Sequence, residues 1–357
     1  MGKKKIAVVF GGCSSEHEIS CISAASVIDN LPKDKYEPIC LGITKKGRWY
    51  LFSGPTEEIA DGRWERNALN VPAFLSPDRN TGGIVVDGKM GFDVIKVDCV
   101  FPVLHGKNGE DGTIQGLLQL SGIPFVGCRA LASADCMDKA VTHTLLTAAG
   151  IHQAKYLWFY AEKYKTGAAK IKVKIDARLG YPIFVKPANA GSSVGVSKVM
   201  SEAELDAAVA KAANEDDKIV VEEAIVGQEV ECAVLGNAEP EASIVGEIAA
   251  SAEFYDYDDK YKSGTSKLYI PARLDETVSE EIRATAVRAY RMLGCTGLAR
   301  VDFFVREGRE VILNELNTMP GFTSISMYPK LWEASGLSYG DLLDRLIKLA
   351  FEVKTKY

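Results

Sequence analysis

Four polar side chains in the last fifth of the chain, Arg300, Asp302, Glu315 and Asn317, have the types and spacing to hold a divalent cation. They lie on two β-type runs within residues 298–317 that flank Gly308-Arg309. Glycine in the first central position suits a two-residue type II′ turn. That turn sets Asp302 opposite Glu315 and Arg300 opposite Asn317. Side chains two apart share a face, so all four project from one side. Two carboxylates directly across a strand pair repel each other. A hard cation between them removes the conflict, and Asn317 adds a neutral oxygen. Oxygen-only ligands favour Mg²⁺, commonly shared with phosphates, and Arg300 would face the same anionic cargo. A solvated hairpin face with chance charges is the competing reading, and Asn314 breaks the pattern by falling on the otherwise apolar face.

Other segments could handle phosphate or acyl chemistry. Lys186 ends an apolar strand and is followed by the loop Ala190-Gly191-Ser192-Ser193-Val194-Gly195, which can present backbone N–H groups to phosphate. It is not a Walker A sequence, and a flexible hairpin turn would read the same way. The strand Val220-Val221-Glu222-Glu223-Ala224-Ile225, with Glu229 beyond it, could offer adenine an apolar slot and ribose a carboxylate, though an ordinary strand end fits equally well. Lys139, in Met137-Asp138-Lys139, means little alone. His105-Gly106 through Gly112 follows a buried strand, where open α/β sheets bind ligands. Gly321 could bring a backbone N–H to an oxyanion formed in acyl transfer; by itself a plain Pro-Gly turn is the simpler reading. The histidines lack zinc-like spacing, and there is no Gly-x-Ser-x-Gly nucleophile motif.

The elements that must position these residues follow from periodicity. Residues 5–10 read as a buried strand broken by Gly11-Gly12. A helix follows, with Ser15 as N-cap and Glu18 completing a capping box. Strands at 36–43 and 98–104, a helix near 113–121 and a short strand at 123–126 complete a parallel α/β domain, 1–127. A second region, 128–226, opens with a helix over about 132–149. It continues with strands near 155–159, 183–187 and 219–223 and a helix at 201–213. The third, 227–357, has strands at 229–235 and 242–249, a tyrosine-rich loop at 253–267, a helix at 276–293, the hairpin, and a helix near 336–352.

Bulk properties bound the function. With 47% hydrophobic residues the chain can build a large core, and a formal charge of −6 argues against nucleic acid or an anionic membrane as partner. The eight cysteines are scattered without a Cys-x-x-Cys pair, as expected of buried thiols in a reducing compartment. The apolar run after the basic start is too short for a signal peptide, and no run approaches the ~18 apolar residues of a membrane span. A cytoplasmic protein is expected.

In this order, the segments resemble the D-alanine–D-alanine ligase family of the ATP-grasp superfamily, through essentially the whole chain. The marks are Phe10-Gly11-Gly12 with Ser15-Glu16-His17-Glu18; His105-Gly106 with Gly109-Glu110-Asp111-Gly112 and Gln115-Gly116; and Met137-Asp138-Lys139. They continue with Lys186-Pro187 and Gly191 to Gly195, Phe254-Tyr255-Asp256-Tyr257 with Lys260-Tyr261, Arg300-Val301-Asp302, and Asn314 to Thr318 with Pro320-Gly321. The resemblance implies an α/β fold: an N-terminal parallel α/β (pre-ATP-grasp) domain followed by a two-domain α+β ATP-grasp module.

It also implies a reaction. ATP phosphorylates the carboxylate of one D-alanine, the amine of a second attacks the acyl phosphate, and the dipeptide serves peptidoglycan synthesis. By motif match Glu16 would hold the first substrate's ammonium, with Ser192 and Tyr261 linked to it. Lys139, Lys186 and Lys260 would contact phosphates, and Glu222, Ile225, Glu229 and Phe254 would surround adenosine. Asp302, Glu315 and Asn317 would bind two Mg²⁺, with Mn²⁺ able to substitute. Arg300 and the Gly321 N–H would stabilise the tetrahedral intermediate. His105 would lie near the first substrate, and Ser326 and Met327 near the second. A homodimer is implied as well. The retained tyrosine-rich stretch and Met327, where many resistance-type relatives carry arginine, favour D-alanine as second substrate. Cys13 and Gly127-Cys128 also occur in resistance-type relatives, so D-serine or D-lactate stays open. A nucleotide-binding oxidoreductase is disfavoured because Gly11-Gly12-Cys13 does not fit its glycine fingerprint. A non-catalytic ATP sensor would tolerate loss of Arg300 or Gly321, and both are present.

Overall fold

The computed structural model describes residues 2–88, 91–249 and 267–353, and among these three sheets form. The first contains β1 (Lys4–Gly11), β2 (Tyr36–Ile43), β3 (Trp49–Phe52), β4 (Val71–Leu75), β5 (Gly83–Gly88), β6 (Gly91–Lys96) and β7 (Cys99–Val103), in the order β6-β5-β4-β3-β2-β1-β7. β1 runs parallel to both β2 and β7. Ile6 to Phe10 are wholly buried, because helices cover both faces of a parallel strand. Ile6, Val8 and Phe10 face one core with α1 (His17–Asn30), while Ala7 and Val9 face another with Ile114 and Leu118 of α3 (Thr113–Ser121). A small helix, α2 (Thr56–Ala60), lies against α1.

The parallel sheet expected from the sequence is therefore its β2-β1-β7 part. β3 to β6 extend it by antiparallel pairing. These strands are four to six residues long and interrupted by Pro72, Gly82 and Gly83, which hides their periodicity. The capping box does not form. Glu16, not Ser15, takes the N-cap position of α1, with no side-chain cap. Glu18 pairs with Lys45, and the Ser14 hydroxyl accepts from Glu16 N–H while donating to the His105 carbonyl. The turn is tied to the neighbouring strand end rather than to its own helix.

After α3, the single helix expected over 132–149 is two, α4 (Ala130–Met137) and α5 (Lys139–Ala148). Asp138 breaks them with ψ 100 and caps α5 by accepting from Ala140 and Val141 N–H. The second sheet comprises β8 (Tyr156–Tyr160), β9 (Ile183–Pro187), β10 (Ser197–Val199) and β11 (Lys218–Glu223), all antiparallel, covered by α6 (Ala161–Arg178) and α7 (Glu202–Ala213). α6 escapes sequence reading because it buries little beyond Ala161, Tyr164 and Ile175 and carries a non-helical Gly167.

The third sheet contains β12 (Gln228–Gly236), β13 (Glu241–Ala249), β14 (Lys267–Tyr269), β15 (Gly297–Arg306) and β16 (Glu310–Asn317), in the order β14-β13-β12-β15-β16. On one face α8 (Glu276–Met292) packs together with residues of α4 and α5. On the other, α9 (Met327–Ala334) and α10 (Tyr339–Glu352) join Ala233, Leu235 and Leu298 to the first sheet's core.

The β15–β16 hairpin pairs Arg300 with Asn317 and Asp302 with Glu315, the expected register. The route to it differs. The loop has three residues rather than two, with Glu307 and Gly308 both at positive φ, so Arg306 pairs with Glu310. A β-bulge between Phe303 and Asp302 then adds Asn314 to β16 and restores the pairing. The extra residue explains why Asn314 broke the alternation.

Candidate active site

A cavity of about 610 Å³ lies between the second and third sheets, lined by Lys139, Lys186, Ser192, Glu222, Ile225, Glu229, Glu315 and Asn317, among others. Eight of the expected residues thus share one space. Lys186 sits opposite Val220, two residues from Glu222, so the two charged side chains are diagonal neighbours on one face. Their Nζ–Oε2 distance is 2.6 Å. Burial opposes charging Lys186, but Glu222, then Glu315 and Glu229, outweigh it and raise its pKa. Burial likewise opposes charging Glu222, yet Lys186 and His143 hold the carboxyl well below its ordinary range. His143 Nε2 lies 3.1 Å from Glu222, its Nδ1 2.6 Å from Gln153, and its ring stacks on Tyr156 at 4.2 Å. Sequence reasoning missed His143, whose partners lie on other elements.

Lys139 opens α5, and its Nζ donates to the Ala190 carbonyl at 2.8 Å. Beyond that carbonyl Ser192 and Ser193 both take positive φ, a conformation costly for non-glycine residues. It lets the Ser192 hydroxyl donate to Glu16, which is almost buried. Two glycines make room for that carboxylate. A Cβ on Gly106 would lie 2.4 Å from Glu16 Oε2, and one on Gly191 2.9 Å from it. Glu110, quoted only within its motif, also lines the cavity and accepts from Gly106 N–H at 2.6 Å. Burial and the neighbouring Glu16 push it up to about 8.

At the hairpin, Asp302 lies between Glu231 of β12 and Glu315 of β16, a row of three carboxylates across three strands. Arg300 forks onto Asp302 with two bonds of 2.7 Å and reaches Glu231 at 3.0 Å; Asn317 Nδ2 donates to Asp302 at 2.9 Å. Glu231 carried no signal in the sequence analysis, since its place depends on β12 pairing with β15. Among the described residues no cluster of three or more His, Cys, Asp or Glu is close enough to hold a metal alone. The donor set nevertheless fits Mg²⁺, which retains waters and phosphate oxygens and needs only one or two carboxylates from the protein. Like charges packed in a row supply the motive for binding one.

The remaining expected residues lie elsewhere. A Cβ on Gly321 would sit 2.6 Å from the Ser326 hydroxyl, which accepts from Thr323 N–H at 3.1 Å. Met327 is buried in the core, its Cε 2.3 Å from where a Cβ on Gly246 would be, and it is not part of the cavity wall. His105 is buried too: Nδ1 lies 3.0 Å from the Met319 carbonyl and Nε2 3.1 Å from the Ser23 hydroxyl. Phe254, Lys260 and Tyr261 lie outside the described residues.

The family models described as D-ala D-ala ligase N-terminus and D-ala D-ala ligase C-terminus match residues 5–128 and 145–348. A D-alanine--D-alanine ligase of Thermoanaerobacter sp. (strain X514) is 53% identical, the alignment covering 99% of this chain and 98% of that one. The crystal structure of the VanG D-Ala:D-Ser ligase from Enterococcus faecalis superposes with a TM-score of 0.89 at 46% identity, covering 98% of this chain and 100% of the other. The D-alanine-D-alanine ligase from Coxiella burnetii gives a TM-score of 0.85 at 36% identity over 99% and 95% of the two chains.

Proposed function

The chain belongs to the D-alanine–D-alanine ligase family, and on that premise we propose that it joins two D-alanines at the expense of ATP for peptidoglycan synthesis. The observation that carries this reading is one cavity lined both by Lys139 and Lys186 and by Glu315 and Asn317 of the hairpin, with Ser192, also in its wall, donating to Glu16.

The γ-phosphoryl group passes to the first D-alanine's carboxylate, leaving ADP and an acyl phosphate. The second D-alanine's amine forms the C–N bond and the C–O bond to phosphate breaks. Glu16, oriented by Ser192, holds the first substrate's ammonium. Lys139 and Lys186 neutralise phosphate oxygens, and Lys260 takes the transferred group. Glu222, Ile225, Glu229 and Phe254 surround the adenosine, and Tyr261 completes the link to Glu16. Asp302, Glu315 and Asn317 would hold two Mg²⁺, with Mn²⁺ able to substitute, and such ions would supply charge compensation to the phosphoryl group. Arg300, fixed by Asp302 and Glu231, and the Gly321 N–H meet the negative charge of the tetrahedral intermediate. Ser326 borders the second substrate, and Met327, the next residue, shapes that border from the core, where it packs on Gly246.

The test is phosphate release with ATP and Mg²⁺, offering D-alanine alone and then with D-serine or D-lactate, products identified by mass. Turnover on D-alanine alone supports the reading. Turnover mainly with D-serine would favour the second reading, which the 46% identity to the VanG ligase supports.

Three further features belong to the proposal. The chain divides into units at 1–127, 128–226 and 227–357. It works in the cytoplasm, where ATP is; among the described residues no helix is long and apolar enough to cross a membrane. It is a homodimer, supported by the exposed apolar side chains Phe74, Phe92 and Val94 on the outer strands of the first sheet.

A further inference from the structure

We infer that His105 and Ser23 form a positioning pair that fixes the backbone on either side of Gly321, so that His105 acts on the acyl-transfer step rather than on the first substrate. This rests on the ligase reading above, in which the Gly321 N–H meets the tetrahedral intermediate.

The hydrogen bonds run in one direction. Met319 O can only accept, so His105 Nδ1 carries a proton and donates to it at 3.0 Å. Burial pushes His105 down to about 4, so the ring is neutral and Nε2 must accept. The Ser23 hydroxyl, 3.1 Å away, donates to Nε2 and is left with lone pairs. It uses one to accept from Phe322 N–H at 3.3 Å. Two residues, Pro320 and Gly321, separate Met319 from Phe322, so the pair grips both ends of a four-residue segment. One more bond closes the frame: the Tyr339 hydroxyl donates to Phe322 O at 2.6 Å. Ser23 lies on α1 and His105 follows β7, so the first sheet holds a backbone donor that serves the third. Both His105 nitrogens are occupied by protein, which leaves neither for a substrate.

Such a group shows itself in how the acyl phosphate partitions. With ATP carrying ¹⁸O in the β,γ-bridge, each reversal of phosphoryl transfer after rotation of the ADP β-phosphate moves label to non-bridge positions. The ratio of scrambling to dipeptide formation therefore reports reversal against amine attack. Ser23→Ala is expected to lower the dipeptide rate about tenfold, less than loss of a whole oxyanion donor, and to raise that ratio by a similar factor. His105→Asn, whose amide N–H can replace Nδ1–H, should stay nearer wild type than His105→Gln. An unchanged ratio with a raised KM for the first D-alanine would make His105 a substrate ligand and overturn the inference. So would activity falling only in step with the folded fraction in thermal melts. Absence of dipeptide from the wild-type enzyme would instead remove the ligase reading itself.

Discussion

Asp302 illustrates how a residue's surroundings set its chemistry. Flanked by Glu231 and Glu315 and gripped by Arg300, it belongs to a row of acids that a cation would relieve. Asp302→Ala or Glu315→Ala should therefore lower turnover by about a hundredfold or more, the scale of losing one electrostatic stabiliser. The melting temperature without metal should change little in Glu315→Ala, which removes a like charge beside Asp302, but should fall in Asp302→Ala, which leaves the buried Arg300 guanidinium without its forked partner. Rates across a Mg²⁺ series and paired melts check this, and wild-type rates in either variant would remove the metal assignment. His105 makes a different prediction. Burial dominates its depression to about 4, reinforced by Arg300 and opposed by the Met319 bond. Its contribution to stability is complete above the unfolded value near 6.5 and is lost as pH falls towards 4. Glu110, raised by burial and Glu16, changes stability in the opposite sense between its ordinary value and about 8, so wild type alone would not isolate the histidine. The stability difference between wild type and His105→Asn should shrink by about 2 kcal/mol from pH 7 to pH 5, at ~1.4 kcal/mol per pH unit. A constant difference in urea unfolding at both pH values would show that His105 is not held neutral. The acids and lysines were legible because their types are conspicuous at strand ends. Ser23, His143 and Glu231 were not, because what matters about them is a partner about 70 or more positions away along the chain, in side-chain contact or across a sheet.

At the scale of elements, the hairpin shows a correct register reached by an incorrect turn. A two-residue turn and a three-residue loop followed by a bulge give the same pairing beyond the bulge, and only Asn314 betrayed the difference. Alternation fixes which side chains share a face more firmly than it fixes the loop that joins them. The break between α4 and α5 was invisible for another reason. Apolar residues continue at helical spacing through Met137-Asp138-Lys139, and the interruption depends on Asp138 bonding forward to Ala140 and Val141 and sideways to Lys218. That cap is what brings Lys139 to the start of a helix beside the Ala190 carbonyl. Asp138→Ala should cost about 1–2 kcal/mol as a lost N-cap. It should also raise the KM for ATP several-fold, with little change in kcat, because it moves a phosphate-binding lysine without touching the acyl-transfer groups. Denaturant unfolding and an ATP titration at saturating D-alanine measure the two effects. An unchanged KM would mean that Lys139 is placed by its own bond to Ala190 and not by the cap.

For the whole molecule, each sheet is built from one stretch of the chain, but two of the cores are not. The first sheet closes one face with α3 and the other with α1, α9 and α10, so Ile6, Val8 and Phe101 share a core with Phe322, Tyr328, Leu342 and Leu346. Cys128, Ala132 and Leu146 pack in turn with α8 and the third sheet, not with the second. Among the described residues the second sheet, with α6 and α7, keeps a core of its own residues from Phe159 to Val221, as does the α3 face of the first sheet. Periodicity shows that a helix has an apolar face; it does not say which sheet that face covers, and here the covering helices come from the far end of the chain. The arrangement has a functional reason, since the segment gripped by His105 and Ser23 enters α9, and the same packing that buries α9 and α10 seats Gly321 beside the first sheet. A fragment of residues 1–127 should therefore fail to fold alone: lacking its C-terminal helices it would expose one core face and show no cooperative melt. Residues 152–224, centred on the second sheet, should fold as an isolated unit. Co-expression of 1–127 with 128–357 should recover a soluble complex, read by co-purification and by ATP turnover. A cooperative transition in fragment 1–127 by itself would show that the far helices are dispensable to that core, and that the coupling between sheet and acyl-transfer segment is weaker than the packing implies.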